Sequence, residues 1–245
     1  MRTLGVIAGA GLAISFACFA LAAALDSNVG INAWTGGIFG GCKSSAATNG
    51  GDTRELAWDG DGDVTINVPA TVHYRPDAGS TIRASGPAEM IGHLRVRDGR
   101  IGFDCNMRGS DREMDLVLPG RAFQRFTLNG EGHLVLEDLK QARLDVNLRG
   151  SADVLATGTA DDLNLNIAGS GKADLGKLAV QRSRINIAGS GEAELAPKDT
   201  ATINIAGSGE IRFLIQPRNV QTHIVGSGRI INAPPASSVP ASSPL

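Results

Sequence analysis

Residues 165–171 read LNIAGSG, and the heptad INIAGSG then occurs at residues 185–191 and again at residues 203–209. Similar glycine turns recur at intervals of 18 to 21 residues, and their anchors are Gly109, Gly130, Gly150, Gly169, Gly189, Gly207 and Gly226. A regular period of this length is typical of a solenoid, in which each repeat stacks on its neighbours.

The residues before each anchor alternate between apolar and polar. The apolar positions, two and four places before the anchor, include Cys105 and Met107, Phe126 and Leu128, Val146 and Leu148, Leu165 and Ile167, Ile185 and Ile187, and Ile203 and Ile205. The position between them is polar in every repeat: Asn106, Thr127, Asn147, Asn166, Asn186, Asn204 and His223. A period of two indicates a strand with one buried face, and the glycine supplies the positive φ that a sharp corner needs.

The sequence therefore predicts an all-β fold, a single parallel β-helix (β-solenoid) of about 19 residues per coil over residues 54–232. A unit this short, without helical periodicity, does not fit a repeat that contains a full helix. Each strand is expected to pair in parallel with its counterpart one coil away. We expect a right-handed coil, the usual hand of parallel β connections. Residues 54–103 are expected to form the first coils and a cap, since a solenoid must protect its open ends.

The two ends of the chain have different compositions. Residues 1–24 combine Arg2 with an uncharged apolar stretch, which predicts a signal peptide or an uncleaved single-span anchor. Residues 25–53 form a leader rich in glycine and serine, and residues 233–245 form a proline- and serine-rich tail that we expect to be disordered. These segments predict an exported protein, in the periplasm or on the outer surface of a Gram-negative bacterium.

Export changes what the cysteines indicate. Removal of residues 1–24 would leave Cys42 and Cys105, and two cysteines in an oxidising compartment can form a disulfide. The alternative is two free thiols, with Cys105 buried in the fold. The sequence leaves both open.

Composition and motifs argue against several classes of protein. The formal net charge is −2 and no basic stripe is present, so nucleic acid is not an expected partner. No nucleophile elbow, P-loop or dinucleotide fingerprint is present in the sequence, and the recurring Gly-Ser-Gly belongs to the turns. Asp59, Asp61 and Asp63 resemble the start of a calcium loop, but Val64 and Ala70 stand where glycine and glutamate are required. We predict no metal site and no cofactor.

Three stretches together resemble a known family. They are the repeated INIAGSG coils, LAWDGDGDVTINVPA at residues 56–70 and VRDGRI at residues 96–101. They are similar to the bacterial GIN-domain proteins, which are described as auto-transporter adhesin head domains. The resemblance implies an exported β-helical domain with an adhesion-type role, and it transfers no catalytic residue.

The asparagine column is the candidate binding site: Asn147, Asn166, Asn186 and Asn204. A flat, repeating polar face suits a repeating ligand such as a cell-envelope glycan, and a protein of the envelope is the other expected partner. The alternative is a ladder in which each amide bonds the amide of the next coil.

A pair of carboxylates offers a different function. Glu192 and Glu210 stand three places after their anchors, so adjacent coils should bring them about 5 Å apart, the separation found in retaining glycosidases. The leading prediction is nevertheless a non-enzymatic structural or adhesion-type module of the cell envelope. A polysaccharide-acting enzyme and a self-assembling envelope protein are the alternatives. The oligomeric state is open, and contact with a membrane is expected only through an uncleaved N-terminal segment.

Overall fold

The computed structural model describes residues 51–107 and 113–232 of the chain. The predicted signal peptide, most of the leader, Cys42, Gly109 and the C-terminal tail lie outside these ranges. Contacts divide the chain into a main unit of residues 43–103 and 107–245 and a second unit, of which the described part is Asp104–Asn106.

Fifteen strands and one short helix are present in the described ranges. The strands are β1 (Gly51–Ala57), β2 (Asp63–Ile66), β3 (Ala70–Tyr74), β4 (Thr81–Pro87), β5 (Leu94–Arg97), β6 (Arg100–Phe103), β7 (Met114–Val117), β8 (Arg125–Gly130), β9 (Gly132–Gly150), β10 (Asp153–Gly169), β11 (Lys172–Gly189), β12 (Glu192–Gly207), β13 (Glu210–Phe213), β14 (Asn219–Gly226) and β15 (Arg229–Ile231). The helix α1 is Ala88–His93. No helix among the described residues has the length and apolar character that crossing a membrane requires.

The second half of the chain is a β-solenoid of about five turns, as the sequence predicts. The long strands β9 to β12 each follow most of one coil and pair in parallel with the next strand in the chain. The last coil is divided between β13 and β14, which both pair with β12. Ile167 lies beside Ile187 and Ile187 beside Ile205, each at most 2% exposed, so equivalent side chains stack in a dry centre.

Close packing between coils explains the glycines of the heptad. Gly189 has φ +123°, and a Cβ there would lie well under 3.0 Å from the carbonyl oxygen of Gly169 in the coil below. That same oxygen accepts a hydrogen bond of 2.9 Å from the backbone N–H of Ser190. A Cβ on Gly191 would lie 2.6 Å from Cγ2 of Ile167. The turn is therefore repeated because each copy lies directly on the one below it.

The first coils do not follow chain order, and here the predicted columns are wrong. The residues directly beside Phe126, Thr127 and Leu128 are Val64, Thr65 and Ile66 of β2. On its other side β2 pairs with β6, which places Arg100 and Ile101 in the next positions. Cys105, Asn106 and Met107 are thus not the coil below Phe126, because β2 and β3 are inserted between β6–β7 and β8–β9.

Antiparallel strands close the N-terminal end of the solenoid. β1 pairs with β4 and β4 with β7, while β5 and β6 form a hairpin that contains VRDGRI. Its turn residues Asp98 and Gly99 have positive φ. An aromatic cluster fills this end: Trp58, Tyr74 and Phe126 contact Phe123 or one another, with ring centroids 5.0 to 5.9 Å apart. The sequence does not predict this cluster, since Trp58 and Tyr74 are far from Phe123 and Phe126 in the chain.

Candidate functional site

The asparagine column forms a continuous hydrogen-bonded ladder across four coils. The Nδ2 of Asn166 donates to Oδ1 of Asn147 at 2.9 Å, Asn186 donates to Asn166 at 2.7 Å, and Asn204 donates to Asn186 at 2.8 Å. Asn147 in turn lies 3.4 Å from the hydroxyl of Thr127. The structure therefore brings together all four asparagines that the sequence singles out, and their amides bond one another.

The backbone register positions these amides. In each coil the asparagine stands between two buried residues, so its side chain is directed away from the core. Asn147, Asn166 and Asn186 are half-buried and Asn204 is exposed. The next member of the column is His223, which lies beside Asn204 in β14.

An exposed strip of alanines runs along one side of the ladder. Ala168, Ala188 and Ala206 are in register two places after the asparagines, and all three are exposed. Because a methyl group projects little from the sheet, the ladder is accessible from this side. Arg149 ends the strip in one direction and Val225 in the other. The alanine of the heptad INIAGSG is the sequence signal for this strip.

The predicted carboxylate pair is adjacent, and both members have cationic partners. Glu192 and Glu210 are in register on β12 and β13. Oε2 of Glu210 accepts a hydrogen bond of 2.6 Å from Nε of Arg229, and Glu192 lies 3.3 Å from the ammonium of Lys172. The hydrogen bond from Arg229 lowers the pKa of Glu210, with a smaller contribution from Arg212. A depressed pKa is the opposite of what a general acid needs near neutral pH.

A separate pocket of about 380 Å³ lies beside the N-terminal cap. Its lining includes His73, Arg75, Arg83, Val117 and Glu137. Nε of Arg75 lies 3.3 Å from the carboxylate of Glu137, and Arg83 lies 3.3 Å from Glu55 outside the pocket. Both guanidinium groups are therefore already neutralised. This pocket is not predictable from the sequence, because β3, β4, β7 and β9 contribute to it from separate parts of the chain.

The remaining candidates have structural partners. Asp63 accepts a hydrogen bond of 2.6 Å from Arg125, and Asp59 accepts one of 3.4 Å from the N–H of Gly99, so these aspartates join the first coils. In the second unit, Cys105 is disulfide-bonded. Because Cys42 lies outside the described residues, its pairing with Cys105 stays a prediction.

Comparison with known proteins confirms the family resemblance. Residues 102–217 match the family model described as "Putative auto-transporter adhesin, head GIN domain". The matched range contains the repeated heptads and all four ladder asparagines. No curated protein matches the chain.

The solved structures that are similar to the chain include three bacterial proteins. The first is a putative adhesin of Bacteroides fragilis NCTC 9343, with 18% identity, 76% of this chain and 98% of that chain covered, and a TM-score of 0.60. A putative lipid binding protein of Parabacteroides distasonis ATCC 8503 has 19% identity, coverage of 77% and 98%, and a TM-score of 0.46. A putative adhesin of Parabacteroides merdae ATCC 43184 has 15% identity, coverage of 77% and 98%, and a TM-score of 0.45. At 18% identity the first similarity shows a shared fold.

Proposed function

We propose that this chain, whose residues 102–217 carry a GIN domain, is an exported non-enzymatic binding module of the bacterial cell envelope, in the periplasm or on the outer surface. Its ligand is a linear glycan, and the binding face is the asparagine ladder with its alanine strip. The signal-like N-terminus and the adhesin-type family support export and an adhesion role. The observation that carries the proposal is the unbroken ladder of side-chain amides on a solvent-accessible face.

The ladder leaves hydrogen-bonding capacity for a ligand. A carboxamide has two N–H donors and an oxygen with two lone pairs. The bonds along the column use one N–H and one lone pair of an internal member such as Asn166. A second N–H and a second lone pair therefore remain for a ligand in each coil. Because the neighbouring amides already fix the side chain, little conformational entropy is lost when a ligand binds.

The repeat of this face suits a polymer of sugars. Adjacent coils lie about 4.8 Å apart, so donors and acceptors recur at that interval along the solenoid. A linear polysaccharide presents hydroxyl groups, which both donate and accept, at regular intervals along its own length. The methyl groups of Ala168, Ala188 and Ala206 provide a flat apolar surface beside the amides for the C–H faces of the sugar rings.

A hydrolytic function is not favoured, because both members of the Glu192–Glu210 pair have cationic partners and the pKa of Glu210 is lowered. Glu210 accepts hydrogen bonds from Arg229 and Arg212, and Glu192 pairs with Lys172. A retaining glycosidase requires one carboxyl group that is protonated, because that group donates a proton to the leaving-group oxygen.

Binding can be tested with one substitution and a matched control on the same strand. Ala188→Arg places a long charged side chain on the alanine strip, whereas Ala179→Arg makes the same change at an exposed alanine of β11 in a different part of the coil. The chain, purified in the form that its bacterial host produces, is titrated by calorimetry against soluble fragments of linear cell-envelope glycans. We expect Ala188→Arg to weaken binding at least about tenfold, a loss of about 1.4 kcal/mol, and Ala179→Arg to bind like the parent.

Three outcomes would contradict the proposal: no binding of any glycan by the parent, equal binding by Ala188→Arg and the parent, or equal loss in both variants. The same samples are assayed for release of reducing ends, with Glu192→Gln and Glu210→Gln alongside. If the parent hydrolyses a glycan and either variant does not, the function is enzymatic, and the proposed binding function is wrong.

A further inference from the structure

The C-terminal end of the solenoid is open on the side of β14, whereas β15 pairs with β13 beside it. All eight residues of β14 are exposed. Ile224 is 39% exposed, whereas Ile205 directly below it in β12 is 1% exposed. Val220 is 36% exposed above a fully buried Ala201. The stack of core side chains therefore reaches the surface at this end, with β14 as an edge strand whose second side has no neighbour among the described strands.

This edge lacks the features with which proteins usually prevent edge-to-edge pairing. Such features include charged side chains, prolines and bulges. The sequence NVQTHIVG of β14 contains no proline, lysine, arginine or carboxylate, and His223 is its only titratable residue. At the other end of the same sheet, by contrast, the edge strand β1 carries Asp52, Arg54 and Glu55.

We propose that this edge is a homodimer interface, in which β14 pairs antiparallel with β14 of a second copy across a two-fold axis through Thr222. The two solenoids then join end to end, and each covers the open core of the other. This inference concerns the strand edge and is independent of the glycan-binding face, whose side chains are directed outward from the coils.

The register follows from the alternation of the strand. Val220, Thr222 and Ile224 continue the inward columns of Ala201, Ile203 and Ile205. An axis through Thr222 keeps inward residues opposite inward residues. It places Val220 opposite Ile224 of the second copy, so two apolar side chains meet, and Thr222 opposite its own counterpart, a pair that stabilises antiparallel sheets. An axis through His223 would instead bring two imidazoles together and leave Val220 opposite a glycine.

Charge at the ends of the strand is compatible with this pairing. Arg218, just before β14, lies 3.0 Å from Asp199, and Arg229, just after it, hydrogen-bonds Glu210. Each cation next to the edge is thus already neutralised within its own copy. The uncharged strand between them meets no like charge when it pairs with itself, which removes the usual electrostatic penalty of self-association.

The chain's own tail is a poorer occupant of this edge. Residues 233–245 contain prolines at positions 234, 235, 240 and 244, so their longest internal run without proline is the four residues 236–239. Proline cannot donate to a strand ladder. A segment with four consecutive donors cannot pair along a strand of eight residues.

The first test is hydrodynamic. The purified chain is compared with Thr222→Arg by sedimentation over a wide concentration range, with Ala188→Arg as the control because it adds the same charge two coils below the edge. We expect a monomer–dimer equilibrium whose dissociation constant rises at least about tenfold in Thr222→Arg and is unchanged in Ala188→Arg. Glycan binding should show the reverse pattern, so failure of one proposal is distinguishable from failure of the other.

The second test examines the register. In an antiparallel sheet, directly opposed residues have Cα atoms about 4.5 to 5.5 Å apart, within the range that a disulfide spans. Thr222→Cys should therefore form an intermolecular disulfide on mild oxidation in cells that express the full chain. Val225→Cys, at a position that is 58% exposed but lies opposite Asn219, should not.

Each contrary result overturns the proposal. A parent that is monomeric at every concentration, or one that forms open-ended assemblies, contradicts a closed dimer. Equal cross-linking of Thr222→Cys and Val225→Cys contradicts the register. If the chain dimerises only after deletion of residues 233–245, then the tail, and not a second copy, occupies the β14 edge in the parent.

Discussion

Each residue of the INIAGSG heptad has its own contact with the coil below. At residues 185–191 the two isoleucines fill the core, the asparagine extends the ladder and the alanine forms the outer strip. The serine N–H bonds the carbonyl oxygen of Gly169, and the two glycines leave room for that oxygen and for Ile167. The heptad is therefore constrained by neighbouring coils rather than by a catalytic requirement.

Gly189→Ala should destabilise the protein by about 2–3 kcal/mol, because alanine is strained at φ +123° and its Cβ would collide with backbone rather than with a flexible side chain. Gly92→Ala in α1 is the control, since a Cβ there has nothing within 4 Å. The control should be neutral or stabilising by up to about 1 kcal/mol. The measurement is the free energy of unfolding in urea, and equal effects of the two substitutions would refute the packing argument.

Ser183 is a weak point of the core. Its side chain is 4% exposed, and its hydroxyl has no hydrogen-bond partner. A buried polar group without a partner costs about 1–3 kcal/mol, so Ser183→Ala should raise the free energy of unfolding by about 1 kcal/mol. Ser190→Ala, at an exposed turn, should leave it unchanged. A destabilised Ser183→Ala protein would indicate that the hydroxyl does have a partner.

Strands of adjacent coils are also joined by ion pairs on the outer surface. Nε and an Nη of Arg182 in β11 donate to both carboxylate oxygens of Asp162 in β10, at 2.6 and 2.9 Å. The hydrogen bond from Arg182 is the main cause of the lowered pKa of Asp162. Because the folded-state pKa is depressed, the pair stabilises the fold above the unfolded-state pKa, and this contribution disappears as the pH falls through the folded-state value.

Arg182→Gln should therefore destabilise the protein slightly at pH 7, and the difference from the parent should shrink as the pH falls below the ordinary aspartate range. The pair is exposed and solvent-screened, so only a small effect is expected at pH 7. Arg184→Gln on the same strand is the control, since no ion pair of Arg184 is present among the described residues. Denaturation curves at several pH values measure both variants, and a pH-independent difference for Arg182→Gln would contradict the prediction.

The pairing of strands is predicted correctly from the sequence where stacked coils follow one another in chain order. It is predicted wrongly where they do not. From Gly130 onward the anchors, columns and ladder all follow from spacing, because each coil must match the preceding one. The insertion of β2 between β6 and β8 could not be predicted, since Thr65 fits the polar column as well as Asn106 does. Nor could the exposure of Ile224 be predicted, because its spacing is identical to that of buried Ile205 and the two differ only in that no described strand lies beyond β14.

At the scale of the whole molecule, the solenoid is a linear array in which each coil contacts mainly the coils on either side. Stability in such arrays is approximately the sum of the terms for single repeats and for their interfaces. The two ends differ, because antiparallel strands and an aromatic cluster close one of them and β14 leaves the other open. The interior coils should consequently be interchangeable, whereas the end coils should not.

Deletion of residues 170–189, one whole coil, should therefore give a folded protein. Gly169 and Gly189 are register partners, so the deletion joins Gly169 to Ser190 and restores the heptad turn. Asn166 would then meet Asn204 in the ladder, and each remaining inward side chain keeps an apolar neighbour. Deletion of residues 170–179 removes half a coil instead, so the turn at Gly189 no longer lies above the turn at Gly169. We expect the whole-coil deletion to keep a β-type circular dichroism spectrum and a cooperative urea transition, with a smaller dependence on urea because less surface is buried, and the half-coil deletion to lose the transition. Equal loss in both variants would mean that the coils are not independent repeats and that the contacts which define the fold extend beyond nearest neighbours.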